Sequence, residues 1–301
     1  MYAGGIAGFG YDGASIENCK NSGNVTAGSV GAGGMLGSSE EGQLVKILSC
    51  SNEGTISVKS SQAGGIVGRA MAYISDCHNT ANIKISSSNA GGIAGNLLTG
   101  SYVGKCYNTA SIISNTFAGG IVETVGNHTT DAPFILEDCY NTGEVSTTYT
   151  LKSTTYAGGI AGKTGNASIV RNCYNKAPIL ANTSYAGGIL GKGKSALTNC
   201  YNAAKVSGLS EVGGIIGTTV AGTKTETGTS VTACYNLGEV AATSADSLGN
   251  IVGLAAKFTE VSSSFYDKNL CNTYVLDTCA TALTTAEMVE APLGDAFKYS
   301  V

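Results

Sequence analysis

Residues 139–145 read CYNTGEV, and the same phrasing runs through most of the chain. It returns as CKNSGNV (19–25), CSNEGTI (50–56), CHNTANI (77–83), CYNTASI (106–112), CYNKAPI (173–179), CYNAAKV (200–206) and CYNLGEV (234–240). Cys and the closing Val or Ile are always six apart. An aliphatic residue (Ile16, Ile47, Ile74, Val103, Leu136, Val170, Leu197, Val231) always stands three before the Cys. A degenerate ninth copy is read at 265–267, FYD.

Between these segments lies a second signal, the glycine pair of AGGIAG (3–8). Its copies begin at Gly4, Gly33, Gly64, Gly91, Gly119, Gly158, Gly187 and Gly213, with a decayed Gly249-Asn250. Intervals run from 26 to 39 residues, and an Ile or Met follows each pair. The spacing from that residue to the Cys varies from 11 to 19, and from the Val to the next Ile from 9 to 15. Lengths vary where loops bulge outward and hold where backbone stacks. The longest outgrowths are 123–134, 146–156 and 218–230.

Short β-compatible pieces between Gly, Asn and Ser, without helical periodicity, form units that cannot bury their apolar residues alone. Stacking the units gives one continuous interior. The expected fold is all-β: a right-handed, three-sided parallel β-helix with three short strands per unit and about nine coils. Its rod would be ~40–45 Å long at ~4.8 Å per coil. Residues 1–267 form the solenoid. Residues 268–301 form a tail or cap, where TTAE (284–287) reads as a capping box opening a short helix. The glycine pair is expected at a recurrent bend, through positive φ or close backbone approach. A phosphate loop needs one strand–loop–helix context, which nothing here supplies.

The unit YAGGIAGK…CYNTGEV resembles the GLUG-motif repeat of bacterial secreted and surface proteins, including stalk regions of some IgA-cleaving metallopeptidases. The resemblance covers about residues 1–267, and the tail looks like the segment that often follows the last repeat. It implies a β-solenoid on a bacterial cell surface, adhesive or spacer-like, and no catalytic residues. The His-Glu-x-x-His motif of those peptidases is missing from this sequence.

Three columns follow from the register. Cys19, Cys50, Cys77, Cys106, Cys139, Cys173, Cys200 and Cys234 should stack as buried free thiols. Rung spacing alone does not exclude disulfides. The Cys−3 aliphatic has the wrong parity to share a face with Cys, so a bend or bulge is expected between them. Asn21, Asn52, Asn79, Asn108, Asn141, Asn175, Asn202 and Asn236 should form an amide ladder at a corner, where Asn tolerates αL, with Asp267 in the ninth place. Tyr107, Tyr140, Tyr174, Tyr201 and Tyr235, then Tyr266, should face outward. They serve either as a binding stripe for glycan or protein or as rings stacked on one another. Cys271 and Cys279 lie outside the repeat and could close a tail loop by a disulfide.

Composition bounds the function. There are 17 basic and 21 acidic residues, net −4, with no basic stripe for nucleic acid. No apolar run is long enough to span a membrane, and no signal peptide opens the chain, which reads as an internal piece of a longer protein. His78 and His128 carry no zinc-like ligand set, and no cofactor is implied. Glu144 and Glu239 share a repeat position that holds uncharged or basic residues elsewhere, which reads as a solvated site.

The expected protein is a non-enzymatic, extracellular, monomeric stalk that displays or binds through its long loops and Tyr stripe. The partner would be a cell-surface or host glycan or protein. The alternatives are a spacer without ligand and a polysaccharide-degrading β-helix enzyme.

Overall fold

The computed structural model describes residues 2–28, 31–59, 62–86, 89–126, 132–150, 154–224, 228–244, 247–271 and 280–290. Every strand pairing in it is parallel, and each strand pairs with its equivalent one coil away. The result is a parallel β-solenoid of about eight turns. Each repeat feeds four sheets, one more than the three strands per unit expected from the sequence. A single coil shows the path: Tyr185–Gly187, Leu190–Thr198, Tyr201–Asn202 and Val206–Gly208 enter four different sheets in turn. The extra run is the two-residue Tyr-Asn strand, too short to be seen as a strand by alternation.

Register is strict because like lies on like. Tyr140 pairs with Tyr107 and Tyr174, Val145 with Ile112 and Ile179, and Gly158 with Gly119 and Gly187. Two apolar lanes run along the rod. One holds the Ile after each glycine pair, the Cys−3 aliphatics and the Cys. The other holds the Val or Ile six after Cys and the Ala of AGG.

The parity difficulty between Cys and its Cys−3 aliphatic is resolved at one residue. Asn18, Ser49, Asp76, Lys105, Asp138, Asn172, Asn199, Ala233 and Ser263 all have φ of 47–56°. A left-handed residue rotates the chain so that Cys re-enters the same lane as the aliphatic three before it. Asn, Asp and Ser supply most of these corners, in keeping with their tolerance of αL. The αL corner therefore sits just before Cys and not at the Asn two after it, where it was expected.

The glycine pair also has a specific cause. None of its members has positive φ among the described residues. A Cβ on Gly5, Gly34, Gly65, Gly92, Gly120, Gly159, Gly188 or Gly214 would lie no more than 2.6 Å from the side chain of the Asn in its coil. The same Cβ would lie 2.0–2.3 Å from the carbonyl oxygen of the equivalent residue in the next coil, so the second glycine makes room both for the stacked backbone and for the amide row. In the last copy Asn250 occupies that place, where no ninth Asn follows.

The ends differ. Ile6 is 50% exposed, whereas Met35, Ile66, Ile93, Ile121, Ile160, Ile189, Ile215 and Ile251 in the same row are all at 0%. At the other end the tail packs back. Thr281–Leu283 pairs with Phe265–Asp267, and helix Thr285–Glu290 follows. Its capping box closes as the sequence suggests. The Thr284 amide donates to Glu287 Oε2 (2.6 Å), and the Glu287 amide donates to Thr284 Oγ1 (3.1 Å).

Candidate functional site: three side-chain ladders

The amide ladder is continuous. Nδ2 of Asn21, Asn52, Asn79, Asn108, Asn141, Asn175 and Asn202 each donates to Oδ1 of the next Asn at 2.8–2.9 Å. The other amide proton goes to the carbonyl two residues on, as from Asn141 to Gly143 (2.7 Å), and the Gly143 amide donates back to Asn141 Oδ1 (3.3 Å). Each interior Asn is buried and has its polar atoms engaged. The last donor, Asn236 Nδ2, meets the Cys271 thiol at 3.2 Å. That buried thiol terminates the ladder and is not bridged. Its proposed partner, Cys279, lies outside the described residues.

The cysteines lie in one row. Cys50, Cys77, Cys106, Cys139, Cys173, Cys200 and Cys234 are fully buried free thiols, and Cys19 in the first coil is half-buried. The Cys106 amide meets Cys139 Sγ at 3.4 Å, and each thiol donates within its own coil to the carbonyl two residues back, as Cys139 does to Glu137 (3.1 Å). Burial pushes the Cys139, Cys173 and Cys234 thiols up, so they stay protonated. Ser264 takes the Cys position in the last copy, and its hydroxyl accepts from the Cys234 amide (3.2 Å).

The tyrosines stack face to face. Successive centroids from Tyr107 through Tyr140, Tyr174 and Tyr201 to Tyr235 are 4.9–5.0 Å apart with interplanar angles of 3–8°. His78 extends the stack above Tyr107 at 4.7 Å and 2°. Lys176 Nζ sits 5.3 Å from the Tyr174 centroid. Within the stack, neighbours occupy both ring faces; Tyr107, Tyr140, Tyr174 and Tyr235 are half-buried, and Tyr201, expected to face outward with them, is buried. Burial raises the phenol of Tyr235 to about 12. The aromatic row continues with Phe265, which pairs with Tyr235. Tyr266 pairs with Asn236 and packs against the core, one residue out of the expected register.

Sequence reasoning overlooked a second aromatic row. Phe117 lies tilted against Tyr156 (4.7 Å, 40°), Tyr156 stacks on Tyr185 (5.1 Å, 21°), and Lys192 Nζ lies 4.9 Å from the Tyr185 centroid. The signal was present as FAGG and YAGG, an aromatic directly before the Ala that precedes the glycine pair. Surface carboxylates meet cations: Glu137 with Arg171 (2.5 Å), Glu53 with Lys20 (2.6 Å) and Glu239 with Lys205 (2.9 Å). Tyr102 OH also donates to Glu137 (2.7 Å). Among the described residues no cluster of three metal-ligating side chains occurs, and no helix is long and apolar enough to cross a membrane. Residues 127–131, with His128, 151–153 and 225–227 of the three long loops lie outside the described residues.

Residues 1–26 match the GLUG motif. The repeat found there recurs through the solenoid, so the motif marks the first of the coils described above. The crystal structure titled "putative immunoglobulin A1 protease from Bacteroides ovatus" is similar in fold. Its TM-score is 0.53 at 17% identity, covering 92% of this chain and 80% of that one. At that identity the similarity concerns the fold. No curated protein matches the chain.

Proposed function

We propose that this solenoid is a stiff, non-catalytic display stalk of a secreted or surface-exposed bacterial protein. The observation that carries the reading is the unbroken in-register stacking of the Asn, Cys and Tyr rows through successive coils. Each row resists the same deformation, separation of one coil from the next. A rod built this way holds whatever its loops or its ends carry at a fixed distance. The GLUG motif and the fold of the protease-named neighbour support a place in a surface protein. Carboxylates set against Arg171, Lys20 and Lys205 support a non-catalytic surface, since glycan cleavage calls for two carboxyls flanking one bond.

The stacking weighs against sugar binding on the tyrosine stripe. A pyranose packs on an aromatic face, and inside this row the faces are taken. A glycan array run with the intact chain and with Tyr140→Ala tests this. Silence from both, with the rod retained in small-angle scattering, is the expected result. Reproducible hits lost in the variant would replace the stalk reading with an adhesin. Release of reducing ends from any arrayed polysaccharide would replace it with an enzyme.

A further inference from the structure

One residue breaks a row that is otherwise glycine. Two residues after the Ile or Met that follows each glycine pair stand Gly8, Gly37, Gly68, Gly95, Gly162, Gly191, Gly217 and Gly253. In the fifth coil the place is held by Glu123. Its neighbours along the axis are Gly95 and Gly162, because Val122 and Thr124 pair with Ala94 and Asn96 on one side and with Ala161 and Lys163 on the other. The row is crowded: a Cβ on Gly162 would lie 2.7 Å from the Glu123 carbonyl oxygen and 2.8 Å from that of Ala118.

The Glu123 side chain is nonetheless 1% exposed. Its Oε1 accepts from Thr124 Oγ1, and its Oε2 has no hydrogen-bond partner among the described residues. Strands Asn89–Gly91, Ala94–Leu97 and Phe117–Gly119 pack against strand Val122–Val125, which carries Glu123, and bring no titratable side chain. Strand Ala161–Arg171 brings Lys163 nearby and Arg171 at its far end, where it pairs with Glu137. An ionised carboxylate here would have one hydroxyl donor and one outlying cation.

We propose that Glu123 makes the fifth coil a pH-responsive weak point, closed around a neutral carboxyl in acid and opening locally as the carboxyl ionises. Burial lifts this group from 4.5 to about 8 against the smaller opposing pulls of Thr124 and Lys163. The sign follows. The closed coil holds the proton more tightly than the open one. Closure is therefore strongest below about pH 4.5, weakens as pH rises, and reaches its floor near pH 8.

Amide hydrogen exchange on the full chain, expressed as protection factors so that intrinsic base catalysis divides out, tests the proposal. Protection at 118–125 and 161–164 should fall by about tenfold per pH unit across that window. Protection at 189–197 should change less. Glu123→Gln should flatten the slope. Glu123→Gly, which restores the row's own residue, does the same job if the Gln variant folds poorly. A wild-type slope retained in the folded variant, or no slope in the wild type, overturns the proposal.

Discussion

Asn141 and Tyr140 are adjacent in one two-residue strand, yet they belong to ladders of different kinds. The Asn side chain points inward, is buried, and exchanges hydrogen bonds with the coils above and below. The Tyr side chain points outward, is half-buried, and exchanges only ring faces. The first three coils show the consequence. The inward row keeps Asn21, Asn52 and Asn79, whereas the outward row holds Lys20, Ser51 and His78. A buried amide without its partner strands donors and acceptors away from water. An exposed ring without its partner loses only contact area. Burial, more than stacking itself, makes a ladder obligatory.

Substitutions at neighbouring positions of one coil would break or sharpen this contrast. The largest effect is expected from Cys139→Asp, which places an unpaired carboxylate in the thiol row. It should cost about 4 kcal/mol or more. The loss should shrink toward low pH, where the carboxyl enters the lane neutral. Denaturant midpoints at pH 4 and pH 7 measure both features. An unchanged midpoint would mean that this position is not in the dry interior.

Next is Asn141→Ala, which strands Asn108 Nδ2 and the Gly143 backbone groups. Unsatisfied buried groups cost about 1–3 kcal/mol apiece, so a loss of roughly 3 kcal/mol is expected in urea unfolding. Tyr140→Ala removes two stacking contacts beside it and should cost about 1–2 kcal/mol. If the two variants lose equally, the distinction between the rows fails. Lys176→Ala, at the solvent edge of the ring stack, should cost about 0.5 kcal/mol and is read best as a small shift in Tm.

Much of this was legible before any coordinates. A fixed Cys-to-Val spacing beside elastic loops points to stacked coils, and the recurrence of Asn and Cys at single positions points to rows. Other features were misread for identifiable reasons. The αL corner is expected at the Asn two after Cys, because that Asn recurs in every unit, but it sits one residue before Cys, where Asn18, Asn172 and Asn199 share the place with Asp, Ser, Ala233 and Lys105. Of the two reasons offered for the glycine pair, close backbone approach holds and positive φ does not, and nothing local indicates that an amide from the same coil also needs the space. The tyrosines left two readings open, a binding stripe and rings stacked on one another, because a sequence counts rings and does not show whether neighbours cover their faces; the structure shows the stack. Glu123 is read from sequence only as the first residue of the 123–134 outgrowth, whereas it lies in strand Val122–Val125.

The sequence by itself determined periodicity, and therefore parallel register and what stacks on what, because identical residues at a constant spacing have one way to coincide along an axis. Only the tertiary structure decided which side of the wall each row faces, what the glycines make room for, and which carboxyl is cut off from water. Those outcomes depend on segments from different coils and sheets meeting in space, and no single repeat contains both partners.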